Sequence, residues 1–161
     1  MVTSITTYTP TRVIQYAEAK RSEVAENPTT WDGVKSTTMY GPVSPVITPT
    51  ISIHDESEFV FDHYWGFPNE DCLSLHVWTP NVSDNKKRLV LFWIHGGGFT
   101  TGSCHERTSY EGENLAKKGD VVIVSINHRL NVLGFLDLSA YGDKYQHSAN
   151  NSILDMVKAL E

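Results

Sequence analysis

A short apolar run that ends in three glycines constrains this chain more than any other stretch of its sequence. Arg88 is followed by six apolar residues, and the chain then passes through His95 into Gly96, Gly97 and Gly98. A continuous apolar run of this length, rich in β-branched and aromatic side chains, predicts a strand buried on both faces within a parallel sheet. Glycine has no Cβ, so a ligand can approach its N–H group closely. The pattern therefore predicts a buried strand that leads into a cradle of bare amides for an anion or an oxyanion.

The segments on either side of this run predict an α/β fold. Residues 72–78 alternate apolar and polar side chains, which indicates a strand with one buried face, and the polar turn after it predicts that the next strand runs back antiparallel. Residues 110–118 predict a short helix that ends in two lysines and a glycine, and residues 121–126 predict a second continuous apolar strand. Strand, glycine loop, helix and strand form a βαβ-like crossover, so we expect a partly parallel sheet.

The last segment predicts the start of an amphipathic helix. Ser152 is placed to cap it, Asp155 follows three residues later, and apolar residues recur at 153, 156, 157 and 160. The pattern runs to Glu161 without a C-terminal cap. We therefore expect residues 1–161 to be the N-terminal portion of a longer single domain.

Charge and composition disfavour several classes of partner. The 161 residues carry a formal net charge of −6, which argues against nucleic acid or an anionic membrane as the partner. No apolar run approaches the roughly 20 residues that span a bilayer, and the N-terminus has no signal-peptide pattern. Cys72 and Cys104 are the only cysteines, so at most one disulfide is open to the chain.

Three other kinds of site find little support in the residue spacing. In a dinucleotide-binding loop the third glycine would come one residue before Gly102. Cys104 and His105 suggest a nucleophile beside its base, but sequence neighbours rarely make the required hydrogen bond, and no Gly-x-Ser-x-Gly pentapeptide occurs. The seven histidines are scattered without ligand spacing, so no metal site is predicted.

Four blocks in order make the chain resemble the type-B carboxylesterases, the family that also contains the cholinesterases and the catalytically inactive neuroligins. The blocks are residues 70–75, residues 93–99 with 102–103, residues 124–130 with 134–136, and a weaker block at 150–155. The resemblance implies an α/β-hydrolase fold, of which this chain supplies the N-terminal part of a central, mostly parallel sheet. It also implies hydrolysis of a small-molecule carboxylic ester through a serine acyl-enzyme, without cofactor or metal.

The same resemblance implies roles for residues of the glycine loop. The amides of Gly97 and Gly98 are expected to form the oxyanion hole. His95, Gly96 and Phe99 are expected to support that loop, and the alternative reading of His95 and Phe99 as plain structural residues stays open. The family's serine nucleophile, its acidic partner and its catalytic histidine lie beyond residue 161, so the chain alone is expected to be inactive.

The resemblance further implies two structural salt bridges, Arg21 with Glu70 and Arg129 with Asp155. Secreted relatives pair the cysteine at the position of Cys72 with a cysteine where this chain has Ser44. Cys72 is therefore expected to be free, which together with the missing signal peptide favours the cytoplasm over secretion. The alternative functions are an inactive, neuroligin-like interaction protein and a non-functional fragment, and the sequence leaves the oligomeric state open.

Overall fold

A four-stranded mixed sheet organises the chain. The structure, a computed structural model, describes residues 11–46 and 66–161. The strands are β1 (Thr11–Gln15), β2 (Ser74–Trp78), β3 (Val90–Ile94) and β4 (Val122–Ile126), in the order β1-β2-β4-β3 across the sheet. β3 is parallel to β4, whereas β2 is antiparallel to both β4 and β1. The described strands therefore form a mixed sheet, and the parallel pairing of β3 with β4 confirms the partly parallel sheet that the crossover predicts.

The predicted βαβ crossover joins β3 to β4. After the glycine loop the chain makes a 3-10 turn at Thr108–Tyr110 and then α1 (Glu113–Gly119), which begins three residues later than the prediction. Gly119 ends α1, and the left-handed residue that reverses the chain is Asp120, with φ of 49°. The Asp120 carboxylate accepts hydrogen bonds from Arg88 at 2.8 Å and Lys86 at 3.3 Å. These contacts tie the start of β3 to the end of α1.

β3 lies at an edge of the sheet and is not buried on both faces. Val90, Leu91, Trp93 and Ile94 are each more than 40% exposed, and only Phe92 is half-buried. β4 covers one edge of β3 through a parallel register from Val90–Val122 to Ile94–Ile126. Within residues 11–46 and 66–161 no strand pairs with the other edge. Among the described residues β3 is therefore open along one edge, and its burial on both faces stays a prediction for the longer domain.

β2 alternates in burial as predicted, but its more deeply buried face carries two polar residues together with Trp78. Ser74, His76 and Trp78 are at most 3% exposed, whereas Leu75 and Val77 are half-buried. Trp78 packs with Ala116 of α1 and Ile123 of β4 in one small apolar cluster. A second apolar cluster is formed by Ala17, Cys72 and Leu73.

The chain continues after β4 through α2 (Asn131–Phe135), three 3-10 turns (Ser139–Tyr141, Asp143–Tyr145 and Ser148–Asn150) and α3 (Asn151–Lys158). The predicted final helix is present, but Ser152 lies inside its first turn and does not cap it. The face of α3 that packs inward is polar, comprising Asn151, Ser152 and Asp155, each fully buried.

The two cysteines are free and buried, so the possible disulfide between them is not formed and Cys72 is free as expected.

None of the helices in the described part of the chain is long and apolar enough to cross a membrane.

Candidate functional site

The glycine loop after β3 is held in a left-handed backbone conformation over three consecutive residues. The φ angles are 111° at Gly97, 59° at Gly98 and 61° at Phe99. The carbonyl of Gly97 closes the turn, because it accepts the N–H groups of Thr100 at 3.0 Å and Thr101 at 3.2 Å. The Thr100 hydroxyl donates to the same oxygen at 2.8 Å. These three hydrogen bonds to one carbonyl oxygen fix the conformation of the loop, and none of them uses the N–H group of Gly97 or Gly98.

The amides of Gly97 and Gly98 are open to a ligand. Both residues are exposed, and neither N–H has a hydrogen-bond acceptor among the residues that the structure describes. Backbone N–H groups are strong donors that are normally satisfied, and in a hydrolase an exposed, fixed pair of them can bind an oxyanion. The space available for a side chain differs between Gly97 and Gly98. A Cβ on Gly97 would lie 2.1 Å from the Thr101 carbonyl oxygen, whereas nothing lies within 4 Å of a Cβ on Gly98.

His95 supports the loop from beneath. Its side chain is buried, its Nδ1 lies 2.7 Å from the Gly96 carbonyl oxygen, and its ring stacks on His128 at 4.8 Å between centroids. Burial lowers the pKa of His95 to about 4, and the neighbouring His128 contributes in the same direction. The ring is therefore neutral near pH 7, and its Nδ1–H donates to the Gly96 carbonyl.

Phe99 anchors the far end of the loop. Its ring meets His128 and Phe135 edge-on, at centroid distances of 6.2 Å and 5.3 Å. Its carbonyl oxygen accepts the N–H of Asn131 at 2.9 Å, and the Asn131 side chain donates to the Thr100 carbonyl. The start of α2 therefore holds a non-glycine residue in the left-handed region, where most side chains are disfavoured.

His128, which has no expected role from the sequence, also contributes to this site. It is 1% exposed, and its Nδ1 lies 2.9 Å from the Ser152 hydroxyl of α3 and 3.2 Å from the Arg129 carbonyl oxygen. Burial lowers the pKa of His128. His128 thus connects the first turn of α3 to His95 and the glycine loop. The only sequence signal for His128 is that it lies within the block at 124–130. Its neighbours Asn127 and Arg129 do not indicate which ring it stacks on.

The contact between Ser152 and His128 has the spacing of a nucleophile and its base, but it is closed to substrate. Ser152 is 0% exposed and His128 is 1% exposed. A catalytic serine must reach a substrate carbonyl carbon, so this buried hydroxyl supports packing. The pair is a link between α3 and the loop after β4.

The two predicted charge pairs are brought together in different environments. Arg21 and Glu70 form a bidentate salt bridge at the surface, where their side chains are 72% and 36% exposed. Arg129 and Asp155 are 4% and 0% exposed and meet through two side-chain hydrogen bonds of 2.9 Å and 2.7 Å. Asp155 also accepts the backbone N–H of Arg129 at 3.1 Å. This second pair joins α3 to the chain immediately after His128.

His76, Cys104 and His105 converge in the fold, although the seven histidines are scattered along the sequence without ligand spacing. The Cys104 sulfur lies 3.6 Å from Nδ1 of His105 and 3.6 Å from both ring nitrogens of His76. The neighbours Cys104 and His105 are thus in contact, contrary to the expectation for adjacent residues. Cys104 is 0% exposed, and burial raises the pKa of its thiol, so it does not present a thiolate to a substrate.

Residues 8–161 match the carboxylesterase family. Phenmedipham hydrolase of Pseudarthrobacter oxydans is 40% identical over 135 residues, which are 81% of this chain and 24% of that protein. Para-nitrobenzyl esterase of Bacillus subtilis (strain 168) is 35% identical over 143 residues, which are 88% of this chain and 27% of that protein.

The solved structures that resemble this chain are esterases of the α/β-hydrolase type. An esterase from anaerobic Clostridium hathewayi, which can hydrolyze aliphatic aromatic polyesters, superimposes with a TM-score of 0.88 at 44% identity and covers 94% of this chain and 30% of its own. The carboxylesterase Est55 of Geobacillus stearothermophilus at pH 6.2 gives a TM-score of 0.78 at 41% identity and covers 94% and 29%. The chain thus spans less than a third of the length of these relatives. On the match over residues 8–161 and these similarities, the chain belongs to the carboxylesterase family.

Proposed function

We propose that this chain supplies the oxyanion hole of a serine carboxylesterase. The observation that carries the proposal is the pair of exposed amides at Gly97 and Gly98, which have no acceptor among the described residues and lie in a loop fixed by the Gly97 carbonyl and by His95. During ester hydrolysis a negative charge develops on the carbonyl oxygen as the tetrahedral intermediate forms. Two preorganised N–H donors stabilise that charge, and each typically contributes on the order of 3 kcal/mol to lowering the barrier.

The proposal assigns the remaining chemistry to residues outside this chain. A serine attacks the ester carbonyl, a histidine takes the serine proton and returns it to the departing alcohol, and an acid orients the histidine. Relatives whose length is about four times the matched segment have room for these groups. In this proposal residues 1–161 are one portion of a single α/β-hydrolase domain, which needs neither cofactor nor metal for the ester reaction. The 161 residues alone do not turn over esters.

The proposal names the ester bond and leaves the acyl and alcohol groups open. The names of the relatives range from phenmedipham to aliphatic aromatic polyesters, so they do not converge on one substrate. The described part of the loop also presents donors only for the carbonyl oxygen that every carboxylic ester shares.

The test compares the full-length protein with the 161-residue chain on a p-nitrophenyl ester and on a fluorophosphonate probe. The full-length protein should turn over the ester and take up one probe per molecule on a serine, because an activated serine is what both reagents report. The 161-residue chain should do neither. A full-length protein that is folded but inert to both reagents would contradict the proposal and favour the neuroligin-like alternative. Probe uptake by the short chain would contradict the assignment of the nucleophile to the rest of the protein.

A further inference from the structure

We propose that His76, Cys104 and His105 form a binding site for Zn²⁺. This site is independent of the proposed ester chemistry. The three side chains are at most 6% exposed, and their ligand atoms all lie within 4.8 Å of one another. Imidazole and thiolate ligands in one cluster suit zinc, whereas calcium and magnesium require oxygen ligands.

The fold holds these ligands on two separate supports. His76 projects from the buried face of β2, between Ser74 and Trp78. Cys104 lies in the loop after the glycines, and its backbone is fastened to β4 and the segment after it. Its N–H donates to the Asn127 side chain at 2.8 Å, and its carbonyl oxygen accepts the Ser125 hydroxyl at 3.3 Å. The backbone of Cys104 is therefore held in place before any ion binds.

The distances are close to those around a tetrahedral zinc ion. Zinc–sulfur and zinc–nitrogen bonds of about 2.3 Å and 2.0–2.1 Å, meeting at a tetrahedral angle, separate sulfur and nitrogen by about 3.6 Å. The Cys104 sulfur lies 3.6 Å from Nδ1 of His105 and 3.6 Å from each ring nitrogen of His76, only one of which can face the ion. Two nitrogens on the same ion lie about 3.3 Å apart, so a pair at the 4.8 Å limit must close by about 1.5 Å.

One ligand has to turn when the ion binds. The Cys104 sulfur is equally distant from the two nitrogens of His76, so a rotation of that ring selects the nitrogen that faces the ion. The His105 ring is already held by Tyr40, which stacks on it at 4.5 Å with an interplanar angle of 15°. Binding of the ion therefore requires the His76 ring to rotate, while the His105 ring is already held in place by Tyr40.

The protonation states suit metal binding with loss of one proton. A neutral imidazole offers one nitrogen lone pair to a metal ion. The Cys104 thiol gives its proton to the buffer as the sulfur–metal bond forms, and no electron is transferred. Three protein ligands leave the fourth position of the ion to water.

The experiment titrates Co²⁺, as a spectroscopic stand-in for Zn²⁺, into the full-length protein that contains residues 1–161. We expect one ion per chain, a sulfur-to-cobalt charge-transfer band in the near ultraviolet, and loss of that band when Zn²⁺ is added. Cys104→Ser should abolish the band, whereas Cys72→Ser, which changes the other buried cysteine, should retain it. The absence of the band in the parent chain, or its persistence in Cys104→Ser, would overturn the proposal.

A second variant keeps the test decisive if Cys104→Ser does not fold, as judged by circular dichroism. His105→Gln retains the thiol and removes one nitrogen ligand. Because losing only an outer-shell partner costs about 10–100-fold in metal affinity, losing a ligand should weaken Co²⁺ binding at least about tenfold. Unchanged affinity in His105→Gln would show that His105 is not a ligand and would overturn the three-ligand site.

Discussion

Gly97 and Gly98 have the same residue type and the same predicted role, but the structure makes them different. Gly97 has φ of 111° and faces the Thr101 carbonyl so closely that a Cβ would lie 2.1 Å from that oxygen. Gly98 has φ of 59°, within the left-handed region that other residues visit, and the space beside it is open. A substitution at Gly97 therefore tests the conformation of the loop, whereas a substitution at Gly98 tests access to the loop amides.

We expect Gly98→Ala in the full-length protein to lower kcat about 100-fold, since the methyl group hinders contact between the amide and the oxyanion. Its free energy of unfolding should fall by only about 1–2 kcal/mol, the cost of a left-handed alanine. Gly97→Ala should lose both activity and stability because the turn has to open. The measurements are ester turnover and urea unfolding.

The matched control for that comparison is Gly33→Ala. Gly33 also has positive φ, at 82°, and nothing lies within 4 Å of its Cβ position, but it is not part of the glycine loop. It should show the backbone cost without the loss of kcat. If Gly98→Ala retains activity within about threefold of the parent, the loop has a structural role only.

At the scale of elements, α3 packs through its polar face. Asn151, Ser152 and Asp155 are fully buried, while Ile153 and Val157 are 42% and 51% exposed. Ser152 and Asp155 meet matching groups, namely the His128 ring and the Arg129 guanidinium. The Asn151 side-chain amide has no hydrogen-bond partner among the described residues, so Ser152 and Asp155 carry the polar contacts of this face.

The two charge pairs should differ sharply in what they contribute to stability. Asp155→Ala leaves the Arg129 guanidinium buried without its carboxylate, which should cost about 3–5 kcal/mol of unfolding free energy. Glu70→Ala breaks an exposed pair and should cost less than about 1 kcal/mol. Urea unfolding of both variants provides the comparison. Equal losses would mean that the burial of Asp155 does not determine its contribution.

At the scale of the whole molecule, exposed apolar surface collects along the edge of the sheet. Leu89 and Val90 are 78% and 59% exposed, and they continue into the exposed side chains of β3. β3, the strand at this edge, leads directly into the glycine loop. The described part of the molecule therefore combines a polar interior around α3 with an apolar outer strand.

Buried neutral histidines should make the stability of the whole molecule depend on pH. Burial lowers the pKa of His95 and of His105 from 6.5 to about 4. Between these values the unfolded chain binds more protons than the folded one, so stability is lost as the pH falls from 6.5 to 4. At pH 4 the loss should reach roughly 2–3 kcal/mol for each ring.

Urea unfolding at pH 7 and pH 5 measures this effect in a window above the titration of most carboxylates. His105→Gln removes one of the two rings and should reduce the pH dependence. His147→Gln, which changes an exposed histidine, serves as the control. Equal unfolding free energies at pH 7 and pH 5 in the parent chain would contradict the prediction.

Local patterns in the sequence determined the elements and the family. The apolar run and the glycines placed β3 and its loop, the Lys117-Lys118-Gly119 ending placed α1, and the ordered blocks carried the resemblance that the match over residues 8–161 confirms. These features depend on neighbours within a few residues, where backbone preference and side-chain period act directly.

Only the tertiary structure decided what each face packs against. Periodicity distinguishes two faces of a strand or helix, but it does not reveal the partner, so the buried polar faces of β2 and α3 were not predicted. The contact of His76 with Cys104 spans 28 residues, and that of His128 with Ser152 spans 24. Such contacts arise when separate elements pack together, because burial of a polar side chain costs less free energy where the fold supplies its partner.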